Sequence, residues 1–179
     1  TTGGTISAGA AGSAIGIYAS STQGDVTVVN ASEITAAGAV YGAAGIQAIS
    51  AGGDVTVGNT ASIYAASLYE NALAMNVTAY GDITIQNQGD LKATVMGGYG
   101  VAFGINAMDL GVNYVYQTGT INIVNTGDID LLSLSPAWGK AYGIRAIREN
   151  GDVLVQNAGD ITSYAGGRAY GVYAQSKYG

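Results

Sequence analysis

A short phrase, Gly24-Asp25-Val26-Thr27-Val28-Val29-Asn30, constrains this chain more than anything else in it, because it is written five times. It returns at Gly53 to Asn59, Gly81 to Asn87, Gly119 to Asn125 and Gly151 to Asn157. Each copy alternates β-branched residues with others at period two behind a turn signal, which reads as a strand. Nine residues after the position following each turn glycine comes an aliphatic residue: Ile34, Ile63, Leu91, Ile129 and Ile161. A third signal follows, of the form Ala-x-Gly-Ile-x-Ala, at Ala14, Ala43, Ala72, Ala102, Ala141 and Ala169. Three strand signals recurring every 28 to 38 residues predict an all-β, parallel β-helix (β-solenoid) of about six coils with three strands per coil.

Stacking at about 4.8 Å places equivalent residues of successive coils directly above one another. With Val26 and Val28 pointing inward, the predicted core ladders are Val26/Val55/Ile83/Ile121/Val153, Val28/Val57/Ile85/Ile123/Val155, Ile34/Ile63/Leu91/Ile129/Ile161 and Ile17/Ile46/Met75/Ile105/Ile144/Val172. The same count turns Asn30, Asn59, Asn87, Asn125 and Asn157 inward at a corner, as an amide ladder that also satisfies turn backbone. In the third strand, strict alternation places Ile15, Ala44, Leu73, Phe103, Tyr142 and Tyr170 inside, and Tyr18, Arg145 and Tyr173 outside. The period is irregular in two places only. Extra residues fall near 108–118 and near 131–140, two insertions at two different corners of one solenoid spanning 1–179, which reads as a piece of a longer array.

Composition removes several kinds of chemistry. Twelve acidic against six basic residues give a net charge of −6, which disfavours nucleic acid as a partner. No cysteine means no disulfides, and no histidine removes the usual general base near neutral pH. No apolar run is long enough to cross a membrane as a helix, so no transmembrane segment is expected. No cofactor is expected either.

Asp25, Asp54 and Asp82 stack at one corner and are weak metal candidates, since carboxylates so spaced can bind calcium. Their regular recurrence favours a turn role, with the carboxylate accepting backbone N–H bonds. Arg145 and Arg148 beside Glu149 read as a solvated ion pair. A Thr27/Thr56/Thr84 row breaks at Asn122 and Leu154, so no flat threonine array exists. Thirteen tyrosines are the stronger hint. Tyr18, Tyr173 and Arg145 on the outer face, with Tyr114, Tyr116 and Trp138 in or beside the insertions, are the candidate binding residues, because exposed aromatic rings stack on sugars or anchor proteins.

The unit Gly-Asp-Val-Thr-Val-x-Asn-x-Gly-Asp-Ile-Thr, followed by Ala-Tyr-Gly-Ile-x-Ala, resembles the repeats of bacterial type V secreted passengers, the autotransporter and filamentous-haemagglutinin-like adhesins. The resemblance runs from Thr5 to Gly179. It implies a right-handed β-helix, secreted through the outer membrane and exposed at the bacterial cell surface, with cell adhesion or self-association as its role and virulence as its setting. It implies host or bacterial surface glycans or proteins as partners, and no enzymatic activity. The inserted loops are then the expected contact sites on a rigid scaffold. A polysaccharide-processing β-helix (lyase or hydrolase) and a passive stalk are the alternatives.

Overall fold

The computed structural model describes residues 4–110, 118–135 and 138–178. All sixteen of its elements are strands, and every pairing is parallel. The first coil is β1 (Thr5–Ala10), β2 (Ala14–Ser21) and β3 (Val26–Asn30); the second is β4 (Glu33–Gly38), β5 (Ala43–Ser50) and β6 (Val55–Asn59). The third is β7 (Ile63–Ser67), β8 (Ala72–Ala79) and β9 (Ile83–Asn87), and the fourth β10 (Leu91–Val95), β11 (Val101–Asp109) and β12 (Gly119–Asn125). In the fifth coil β13 (Ile129–Ser133) precedes β14 (Lys140–Asn157), one strand that rounds a corner and serves two faces; β15 (Ile161–Ala165) and β16 (Arg168–Tyr178) follow. The result is a parallel β-solenoid of about six coils, with no disulfide because there is no cysteine.

Three faces run the length of the molecule. Face one stacks β1-β4-β7-β10-β13-β15, face two β2-β5-β8-β11-β14-β16, and face three β3-β6-β9-β12-β14. All four core ladders stand in register, and Ile6 adds a first rung beneath Ile34. Small residues fill the remaining interior rows, among them Ala36/Ala65/Ala93 and Ala43/Ala72/Ala102/Ala141, so two faces can approach closely without leaving voids.

Face two departs from strict alternation. Its register runs Ile15↔Ala44 and then Ile17↔Ile46, leaving Gly16 and Gly45 out of the pairing, and the same gap recurs up the stack at Ala74, Gly104, Gly143 and Gly171. A bulge of this kind puts two consecutive residues on one side of the strand. Here the glycine and the aliphatic residue after it both face the core, and the residue before the glycine therefore turns outward. Ile15, Leu73, Phe103, Tyr142 and Tyr170 lie outside the interior cluster, Phe103 being buried beneath Tyr142 and Arg145 on the outer side, which corrects the expectation from strict alternation.

The reason for the glycine is steric. A Cβ on Gly16 would lie 2.3 Å from Ile34 Cγ2, and on Gly45, Gly104 and Gly143 it would lie 2.1, 2.6 and 2.4 Å from the Cγ2 atoms of Ile63, Ile129 and Ile161. In the third coil the glycine is Ala74, and the opposing residue is Leu91, which branches at Cγ and has no Cγ2. The two rows have adjusted to each other rung by rung.

The corner between faces three and one has constant length, whereas the other two vary. Between faces one and two the connection lengthens to 96–100 in the fourth coil and 134–139 in the fifth, of which 136–137 lie outside the described residues. Because Leu131, Leu132 and Ser133 pair normally within β13, the insertion expected near 131–140 narrows to 134–139. The insertion expected near 108–118 lies between β11 and β12; its residues 111–117, including Tyr114 and Tyr116, are outside the described residues.

Candidate functional site

The asparagine row hydrogen-bonds along its whole length. Asn30, Asn59, Asn87 and Asn125 each donate from Nδ2 to Oδ1 of the next asparagine at 2.7 Å, ending on Asn157. All five, Asn157 included, also donate to the carbonyl two residues on, those of Ser32, Ala61, Gly89, Gly127 and Gly159. The first four rungs spend both amide protons on structure and leave none for a ligand.

The aspartates are committed too. Asp25 Oδ1 accepts from the backbone N–H of Asp54 at 2.9 Å, Asp54 from Asp82 at 2.8 Å, and Asp82 from Thr120 at 2.7 Å. Asp90 and Asp128 repeat the device in a second row, accepting from Asp128 and Asp160. The N–H bound is that of the coil above and not of the aspartate's own turn, so these carboxylates carry the inter-coil ladder around a corner. Among the described residues, no group of three or more His, Cys, Asp or Glu side chains is placed to hold a metal ion.

Nor do the basic residues form the expected pair with Glu149. Arg148 points into the core at 1% exposure, donating from Nε to the carbonyl of Asn150 at 2.9 Å and from Nη1 to that of Gly81 at 2.8 Å. Glu149 instead binds Lys177 at 2.7 Å, and that carboxylate, with Tyr178, raises the lysine pKa above its usual 10.5. Both side chains are about half exposed, so the pair is screened by solvent.

What remains uncommitted gathers on face two and the corner beside it. The bulge brings two outward rows together, Ile15/Ala44/Leu73/Phe103/Tyr142/Tyr170 and Tyr18/Gln47/Asn76/Asn106/Arg145/Tyr173, so that they line a groove along the solenoid axis. Phe103 and Tyr142 stack at 5.4 Å and Tyr142 and Tyr170 at 4.8 Å, while Tyr173 meets both tyrosines edge-on. Arg145 lies 5.9 Å from the centroids of Phe103 and Tyr142 and donates to Asn106 Oδ1 at 3.0 Å; Asn106 Nδ2 donates onward to Asn76 Oδ1 at 2.8 Å. Towards the earlier coils the groove opens into a cavity of about 240 Å³ bounded by Tyr41, Gln47, Glu70, Asn71, Leu73 and Asn76.

Beside it, the corner between faces one and two carries an exposed ridge. Tyr41, Tyr69, Tyr99 and Trp138, one aromatic residue per coil over four coils, are 74%, 57%, 79% and 70% exposed, with Leu68, Met96 and Leu134 between them. Of the residues expected to bind, Trp138 belongs to this ridge, Tyr18 is exposed at the early end of face two, and Arg145 and Tyr173 are half-buried in the aromatic cluster. Tyr41, Tyr69 and Tyr99 went unnoticed in the sequence, although aligning the corner that follows Gly38, Ser67 and Val95 brings all three into one segment.

A parallel β-solenoid with an unbroken structural ladder inside and an apolar ridge flanking an outer groove is therefore the class this chain defines. Comparisons with protein families, with curated proteins and with solved structures found no match. Among the described residues, no helix is long and apolar enough to cross a membrane.

Proposed function

We propose that this chain is a non-enzymatic adhesive segment of a bacterial secreted or cell-surface passenger, in which the solenoid is a rigid scaffold and the ridge with its groove makes the contact. The ridge carries this reading. Tyr41, Tyr69, Tyr99 and Trp138 with their aliphatic neighbours are an exposed apolar row repeated at one corner in four successive coils, and rows of that kind mark interaction sites. The non-enzymatic part rests on the acids: the corner aspartates, the best candidates for acid–base work, bind backbone of the next coil. Secretion and surface exposure rest on the likeness of the repeat unit to type V passengers. The inserted segment containing Tyr114 and Tyr116 belongs to the same proposal as a second contact.

The test compares the wild type with a Tyr69→Ser/Tyr99→Ser/Trp138→Ser variant. Labelled protein is measured for binding to bacterial and epithelial cells, and sedimentation velocity reads self-association. All three residues are exposed, so folding is expected to survive. Loss of binding or association of tenfold or more in the variant is the expected result. A wild type that neither adheres nor associates, or a variant indistinguishable from it, would sink the proposal.

A further inference from the structure

Building on the adhesive reading above, we propose that the cavity at the early end of the face-two groove binds one ring of a neutral oligosaccharide whose chain runs along the solenoid axis. The argument starts from Arg145. Its guanidinium can only donate, so Asn106 must present Oδ1 to it and turn its amide nitrogen toward Asn76. Asn76 is then held by Oδ1; it lines the cavity, and its two Nδ2 protons have no partner among the described residues. A cation at one end of the chain polarises the amides and strengthens the donor at the other.

The other walls complete a hydroxyl-binding set. Gln47 offers donor and acceptor together, the Glu70 carboxylate accepts, and Asn71, whose Oδ1 is engaged by the Val101 N–H at 2.9 Å, has its Nδ2 left to donate. Leu73 supplies an apolar floor and Tyr41 an exposed ring at the rim. Donors and acceptors interleaved with an apolar floor and an aromatic ring match a sugar, which presents hydroxyls at its edge and C–H bonds on its face.

Charge and topology narrow the class. An anionic glycan would meet Glu70 and a molecule of net charge −6, while the one groove cation, Arg145, is already bound to Asn106 and laid against Phe103 and Tyr142. Gln47, Glu70, Asn71 and Asn76 stand on and beside β5 and β8, which are both hydrogen-bonded on each side, so an extended peptide could add only to the edge strand β2, which contributes the apolar Ala14 and Ile15. At about 240 Å³ the cavity is smaller than sites that enclose a drug-sized ligand, which suits one ring of a chain that continues over the groove and ridge.

The experiment titrates the 179-residue chain by calorimetry and by amide NMR with cellotetraose, maltotetraose, mannotetraose and N-acetylchitotetraose, with tetragalacturonate and a heparin tetrasaccharide as acidic controls. Binding of at least one neutral tetrasaccharide is expected, weakened tenfold or more by Asn76→Asp, which keeps the acceptor for Asn106 but removes both donors, and by Tyr41→Ala at an exposed position. No neutral binder, tighter binding of the acidic sugars, or affinity unchanged in both variants would overturn the assignment. Cell adhesion that disappears in the ridge variant while no neutral sugar binds would refute this site and leave the adhesive reading standing. Sugar binding without adhesion or self-association would do the reverse.

Discussion

Asparagine 87 shows how much one side chain can hold. It accepts from Asn59, donates to Asn125 and donates to the carbonyl of Gly89, all in the buried interior. Replacing it with alanine strands a donor and two acceptors at once, each costing about 1–3 kcal/mol when left dry. Asn87→Ala is expected to lower stability by roughly 3 kcal/mol, read as a shift of the urea midpoint at unchanged slope. Asn157→Ala breaks the same chemistry at an exposed rung, where water replaces the lost bonds, and is expected to cost less than about 1 kcal/mol. Equal losses at the two positions would mean that the ladder's contribution does not come from burial. Arg148 makes a related point: a charge held in the core costs several kcal/mol unless its hydrogen bonds are met, and here backbone carbonyls meet them.

Among the elements, the strands of face two are shaped by a contact between rows. Gly104 faces Ile129, and a Cβ there would fall 2.6 Å from Ile129 Cγ2 and 2.5 Å from the Gly143 carbonyl. Ala74, in the equivalent place, tolerates its methyl beside Leu91, so the backbone contact can relax and the isoleucine branch is the harder obstacle. Gly104→Ala alone is expected to destabilise by about 2 kcal/mol, as overpacking does. Ile129→Leu in the same chain is expected to recover at least half of that, which a double-mutant cycle followed by denaturant unfolding would measure. Gly58→Ala, where nothing lies within 4 Å of the new methyl, serves as the control and is expected to stay within about 0.5 kcal/mol. Additive losses in the double mutant would remove the proposed match between rows.

Across the whole molecule, each coil touches only its neighbours, so stability accumulates along the stack and is lowest where a neighbour is missing. Core rows are closed to solvent from the second coil through faces one and two of the fifth, whereas Val153 and Val155 on the fifth coil's third face, and Ile161 and Val172 after them, are half-buried or exposed. Native-state hydrogen exchange on this chain is therefore expected to be slowest in β8, β9 and β12 and fastest in β1, β15 and β16. A single uniform exchange free energy across all coils would show instead that the solenoid opens as one unit. The gradient also bears on the groove, because its cavity lies across the first three coils, part of it on the softer end of the stack.

Much of this was legible without coordinates. A ladder requires like residues at equal spacing, and repetition in the chain displays that spacing directly, so the coils, the four aliphatic ladders, the asparagine row and the two variable corners could all be counted out. The face-two bulge could not. Alternation is a local rule, and it fails at Gly16, Gly45, Gly104 and Gly143 because of an isoleucine some eighteen to twenty-five residues away on another face. That displacement turned Phe103, Tyr142 and Tyr170 outward, and with them it formed the groove. The buried Arg148 and the carboxylates that bond to the next coil are likewise decided by which backbone groups the stack brings within reach. Ladder positions follow from periodicity along the chain; the concave surface follows from contacts between faces, which periodicity does not encode.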